Sequence, residues 1–229
     1  MGDRSRIVFL LDVDNTLLDN DAIADDLRQH LTEEFGADRQ EHYWSIFESI
    51  RQDVGYADYL GALQRYRSEN PRDPHFLKLS FFLLDYPFEK RLYPDAVEVI
   101  DHLSKWGLPV ILTDGDVVFQ PWKVQRSGLL HAVHDHALIY IHKEQELEDV
   151  EKRYPAEHYV LVDDKLRILT EIKSEWGKRL TTVFPRQGHY ARDPEILKMY
   201  PAADVTIDRI GDILNLQGDR LIDAGRAHD

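Results

Sequence analysis

The chain has no cysteine among its 229 residues. That excludes a disulfide framework, a thiolate zinc site and a cysteine nucleophile, and it suits a reducing compartment. Positive charge is also scarce: 28 Lys and Arg stand against 42 Asp and Glu, for a net charge of -14. A field of that sign repels phosphate backbones, and no Lys/Arg run overcomes it locally, so no nucleic acid partner is expected. Long apolar runs are missing too. The stretch after Met1–Arg6 stops at Asp12, too short and too acidic for a secretory segment, and nothing approaches the ~20 residues of a membrane span. The expectation is a soluble cytoplasmic protein with no membrane partner. Prolines number only ten, while 43% hydrophobic residues supply a packed core and argue against disorder.

What is present alternates. Six short apolar segments read as strands: Ile7–Leu11, Pro109–Leu112, Ala137–Ile141, Tyr159–Val162, Leu180–Phe184 and Val205–Ile207. They are rich in Val, Ile and Leu without strict alternation, as strands buried on both faces of a parallel sheet should be. Helical patterns separate most of them: Pro94 to Gly107, Pro121–Ser127 ending at Gly128, and Leu166 to Gly177. This order predicts a doubly wound, Rossmann-like α/β sheet.

Residues 19–90 break the rhythm. No strand is evident there, but helical patterns fall near Asp21–Phe35, Gln40–Gln52, Tyr56–Ser68 and Pro74–Leu84. Leu27, Leu31 and Phe35 recur at helical spacing, as do Tyr43, Ile46, Phe47 and Ile50. The interval predicts an inserted all-helical subdomain, so that 1–18 and 91–229 form the core and 19–90 the insertion. The polar tail after Gln217 is expected to fray.

Chemistry concentrates at strand ends, where open α/β sheets gather ligands. The first strand ends in Asp12-Val-Asp14-Asn-Thr16, whose two carboxylates leave the strand on the same side. They repel unless a cation or a shared proton lies between them. The second strand ends in Thr113-Asp114-Gly115-Asp116, the third in His142-Lys143 and the fourth in Asp163-Asp164.

These four motifs, in this order, resemble those of the haloacid dehalogenase superfamily, most of whose members are magnesium-dependent phosphatases. The insertion resembles that family's C1 helical cap. The resemblance implies hydrolysis of a small phosphate monoester through an aspartyl-phosphate. Asp12 would be the nucleophile and Asp14 the general acid and base. Mg2+ would be held by Asp12, the Asp14 backbone carbonyl and Asp164, with Asp163 in or behind that shell. Thr113, the amide of Asp114 with the turn at Gly115, and Lys143 would bind the phosphoryl group. Lys143 is preferred for the lysine role over Lys123, which reads as a surface position of the following helix, and over Lys165. Asn15 stands where glycine is commoner, Asp114 adds a charge, and no glycine precedes Asp163. Dehalogenase members lack an acid at the position of Asp14, which disfavours that chemistry.

Rival readings are a phosphomutase, another phosphoryl or C–X bond enzyme of the family, and a phospho-accepting regulatory domain. The partner expected is a small phosphorylated metabolite, and the sequence does not choose between monomer and homodimer. In the insertion, Arg51, Tyr56 and Arg65 are substrate-contact candidates, while Tyr43, Trp44, Phe47 and Tyr59 read mainly as core. His131, His134, His136 and His142 have no metal-binding spacing and read as solvated or packed side chains. The acidic run Glu144–Glu151 reads as a solvated helix face.

Overall fold

The computed structural model describes residues 5–227, so Met1–Arg4 and the last two residues lie outside the described residues. Six strands form one parallel sheet in the order β3-β2-β1-β4-β5-β6. They are β1 (Ser5–Leu11), β2 (Leu108–Asp114), β3 (Ala137–Tyr140), β4 (Ala156–Val162), β5 (Leu180–Pro185) and β6 (Val205–Ile207). Each apolar segment predicted as a strand is one. Ile141 falls just outside β3 and is exposed. β1 lies at the centre, paired with β2 through Leu10↔Val110 and with β4 through Leu10↔Leu161. The strand order reverses between β1 and β4, and a crevice opens there at the carboxyl ends.

Side-chain alternation divides the core between the two faces. Phe9, Leu11, Ile111 and Val160 pack on one side with Val99 and Leu103 of α5 (Ala96–Ser104). Val8, Leu10, Val110 and Leu161 pack on the other with Ile168 and Ile172 of α9 (Leu166–Trp176). Where α5 turns into β2, Gly107 runs against β1: a Cβ there would sit 2.5 Å from the Ile7 carbonyl oxygen.

Between the loop after β1 and α5 lie four α-helices: α1 (Asn20–Phe35), α2 (Ala37–Val54), α3 (Tyr59–Glu69) and α4 (Phe76–Leu84). Asp19 starts α1 by accepting from the Ala22 amide at 3.0 Å, and Asp58 starts α3 by accepting from Gly61 N at 2.7 Å. The i, i+4 stripe Ile23, Leu27, Leu31 and Phe35 is the buried face of α1. The segments entering and leaving this block run antiparallel. Asp19 N donates to Arg91 O at 2.7 Å, and Tyr93 N to Leu17 O at 2.9 Å. Aromatic packing ties the block to the sheet domain, with Tyr59 edge-on to Phe119 at 5.5 Å.

The remaining helices are α6 (Phe119–Arg126), α7 (Leu129–Ala132), α8 (Leu147–Arg153), α10 (Pro194–Met199) and α11 (Gly218–Ala227). Three expectations need correction. The tail is helical over Gly218–Ala227, because Leu221 is buried and its carbonyl accepts from Thr181 Oγ1 on β5, and its last two residues lie outside the described residues. Glu144 is buried rather than solvated, held by Arg167 at 2.8 Å. α6 begins at Phe119, ahead of Pro121, and its inward face carries Gln120 and Lys123. No helix of the described residues is long and apolar enough to cross a membrane.

The close approach at Gly107 can be tested by urea denaturation. Gly107→Ala should destabilise the protein by about 1–3 kcal/mol, since the clash is with backbone that cannot swing aside. Gly128→Ala has open space around its Cβ but a φ of 86°. It should cost less, through backbone strain alone.

Candidate active site

The loop after β1 makes the site possible. Asp12 N donates to Val162 O at 3.0 Å, extending the β1–β4 ladder to the nucleophile candidate. Asn15 then adopts φ 59°, the left-handed region that glycine favours and asparagine tolerates. Its side chain donates to Asp21 Oδ1 at 3.0 Å and accepts from Asp21 N at 3.1 Å, binding the loop to the first turn of α1. The asparagine therefore satisfies the backbone requirement of a glycine and adds a tether.

The carboxyl ends of β1, β2 and β4 bring the expected residues together. Lys143 Nζ lies 2.6 Å from Asp12 Oδ1, 2.6 Å from Asp163 Oδ2 and 3.2 Å from Leu112 O. Burial opposes the charge on Lys143, but Asp12, Asp163 and Asp114 outweigh it and hold its pKa well above the ordinary value. Lys143 is thus the lysine between the acids. The other Asp12 oxygen accepts from Thr16 Oγ1 at 3.1 Å, and that hydroxyl accepts in turn from Asp164 N at 3.1 Å. Thr16, quoted in the first motif without a role, joins the loops after β1 and β4.

Asp164 is the exception to this pairing. It is 1% exposed, and neither carboxylate oxygen has a hydrogen-bond partner. Burial and then the neighbouring Asp163 push its pKa well up. Burial also raises Asp163, to about 6, against the pull of Lys143. Among the described residues, Asp12, Asp163 and Asp164 form the metal-competent group, their ligand oxygens within 4.8 Å of one another. Hard oxygen donors with an unmet charge suit a cation such as Mg2+.

Four expected or neglected positions read differently in three dimensions. Lys123 is not a surface residue: it is buried, with Nζ 2.7 and 2.9 Å from the two Asp14 oxygens. Gln120, on the same face of α6, donates to Thr113 Oγ1 at 3.0 Å. Gly115 N is already committed to Tyr140 O at 2.9 Å, so its amide does not face a phosphate, contrary to expectation. The space its missing Cβ leaves is filled by the Gln120 side chain. The Asp114 carboxylate turns to the backbone, accepting from Lys143 N at 2.7 Å, and burial raises its pKa.

A cavity of about 440 Å³ opens over the carboxylates, bounded by Asp12, Asp14, Thr113 and Asp164 below and by helices α1 and α2 above. Arg51 and Tyr56 line it. Arg51 donates to Tyr190 Oη at 2.8 Å and pairs with Glu48. Arg65 does not reach it: α3 turns that side chain to solvent, where it pairs with Glu69. Arg28 lines the cavity unanticipated, lying 3.9 Å over the Trp44 ring. At the rim His189 pairs with Asp21 at 2.7 Å. The four histidines from His131 to His142 join no metal-competent group among the described residues.

A model of the haloacid dehalogenase-like hydrolase family matches residues 8–177. The chain belongs to that family of hydrolases. It is similar to a haloacid dehalogenase-like hydrolase from Burkholderia xenovorans LB400, with 59% identity, a TM-score of 0.90, and coverage of 93% of this chain and 99% of that one. Two more distant structures share the fold. The HAD-hydrolase YfnB of Bacillus subtilis, solved bound to magnesium, is 19% identical with a TM-score of 0.60, over 93% and 100% of the two chains. The L-2-haloacid dehalogenase of Xanthobacter autotrophicus is 17% identical with a TM-score of 0.58, over 92% and 97%. A comparison with curated proteins finds no match.

The raised carboxylates predict a pH dependence. Where the native state holds an acid's proton more tightly than the unfolded state, stability falls as pH rises from about 4 through the native pKa. Urea denaturation without divalent cation should therefore show a smaller loss between pH 4.5 and 7.5 in Asp164→Asn than in the unaltered protein. Equal losses would contradict the burial of a carboxylate without hydrogen-bond partners there.

Proposed function

We propose that the protein is a magnesium-dependent phosphatase of small phosphate monoesters. Residues 19–90 act as a cap over a core of 1–18 and 91–229. The observation that carries this reading is the pairing of Asp12 with a second acid, Asp14, on the wall of the same cavity. Expelling an alkoxide needs a proton, and an acid two residues beyond the nucleophile supplies one. A halide leaves without it, which weighs against the chemistry named for the dehalogenase neighbours.

In this reading Asp12 attacks phosphorus and the ester oxygen leaves with a proton from Asp14. The aspartyl-phosphate is then cleaved by a water that Asp14 deprotonates, restoring Asp12. Lys143, fixed between Asp12 and Asp163, neutralises the charge gathering on the transferred group. Thr113, held by Gln120, offers its hydroxyl to a phosphoryl oxygen. Asp12, Asp163, Asp164 and the Asp14 carbonyl would hold Mg2+, which screens the phosphoryl charge from the nucleophilic carboxylate. The unpartnered Asp164 oxygens fit that ion. The cavity volume suits a metabolite rather than a polymer. Arg28, Arg51 and Tyr56 border the space left for the leaving group.

Release of inorganic phosphate from an aryl phosphate and a panel of metabolite esters tests this. Turnover should require Mg2+, cease with EDTA, and fall at least ~10³-fold in Asp12→Asn. Turnover that survives Asp12→Asn would sink the mechanism. A preference for haloacids over every ester would replace it with the dehalogenase alternative.

A further inference from the structure

Lys123 is a buried cation that the four strand-end motifs do not call for. Its side chain is 1% exposed and it does not line the cavity, so it has no route to a substrate. Its ammonium is nonetheless fully engaged: two contacts go to the Asp14 carboxylate and one, at 3.2 Å, to Asn20 Oδ1 at the start of α1. Burying an ammonium is unfavourable unless its partners are fixed. Here they belong to the loop after β1 and to the first helix of the inserted block.

The helix carrying it is held in place. Phe119 packs edge-on against Tyr59 at 5.5 Å and Phe88 at 5.6 Å. Gln120, three residues before Lys123 and so on the same face, reaches Thr113 at 3.0 Å and Asp14 Oδ2 at 3.4 Å. Asp14 itself lies at a wet wall, its side chain 23% exposed. A carboxylate in that setting can rotate and hydrate. Contacts to both oxygens fix the plane of this cavity-lining carboxylate.

We propose that Lys123 is a positioning residue that acts through Asp14, fixing that carboxylate for its two proton transfers and tying its placement to the first residue of α1. The chemical part rests on the phosphatase reading above; the structural part does not. The consequence is a specific kinetic defect. An aryl phosphate needs no acid to expel its leaving group, but the second step still needs Asp14 as base. With Asp14 misplaced, the aspartyl-phosphate should form and then accumulate.

Lys123→Met, Lys123→Arg, Asp14→Asn and the double variant Lys123→Met/Asp14→Asn decide the matter. In the crystal structure of Lys123→Met, the Asp14 side chain should leave its place while Asp12, Lys143 and Asp163 keep theirs. Steady-state turnover should fall roughly 10–100-fold, with a burst of aryl alcohol before the slow phase and a larger loss in kcat than in KM. Lys123→Arg should recover part of the rate. In the Asp14→Asn background, Lys123→Met should cost less than about 2-fold more. The double variant leaves no unpaired buried charge, so it remains informative if Lys123→Met alone folds poorly. An unmoved Asp14, a loss without a burst, or an undiminished effect in the Asp14→Asn background would overturn the proposal. Wild-type protein that releases no phosphate from any ester would sink the phosphatase reading instead, and the position of Asp14 in Lys123→Met would then decide this inference.

Discussion

One ammonium group holds the site together. Lys143, three residues beyond β3, touches Asp12 just after β1 and Asp163 just after β4, both at 2.6 Å and both out of water. Carboxylates converging in a low-dielectric pocket repel strongly, and breaking such a buried pair costs far more than forming it gains. The strand order brings these ends into register, and Lys143 makes their proximity tolerable. Even with Lys165 acting on the same group, two ammonium charges do not balance Asp12, Asp163 and Asp164 together. The surplus falls on Asp164, the member with no hydrogen-bond partner on its carboxylate. That deficit is the physical argument for a cation in the cavity.

Around this centre the structure separates two tasks. The sheet fixes Asp12, Thr113 and Asp163 at strand ends, where backbone ladders leave little freedom. The helical block reaches the same cavity through side chains: Arg28 on Trp44, Arg51 on Tyr190, and Asp21 held between Asn15 and His189. α6 lies between the two, touching Tyr59 of the block with Phe119 and Asp14 of the loop with Lys123. Strand-end groups and side chains of the helical block, far apart in sequence, thus share one cavity.

The parts legible in the sequence were those fixed by local rules. Buried strands announce themselves by apolar composition, and a strand's carboxyl end is a fixed place for chemistry, so Asp12, Lys143 and Asp164 stood out. Lys123 did not. A lysine on a short, mixed-polarity helix reads as solvated, and only the location of Asp14, 109 positions away in sequence, shows that it turns inward. Glu144 was hidden for the same reason, its burial depending on Arg167 of another helix. Gly115 looked like a phosphate-binding turn because composition does not reveal that its amide completes the β2–β3 edge. The tail after Gln217 is polar on average, yet Leu221 anchors it against β5. In each case a long-range partner overrode the local signal.

The central claim is that Asp12 carries the phosphoryl group. Acid-quenching the protein during turnover of an aryl phosphate, reducing with borohydride and sequencing the peptides by mass spectrometry tests it directly. An aspartyl-phosphate is reduced to homoserine, so the account predicts homoserine at position 12 and at no other aspartate. Homoserine at Asp14, Asp163 or Asp164, or its absence everywhere while turnover proceeds, would contradict the account.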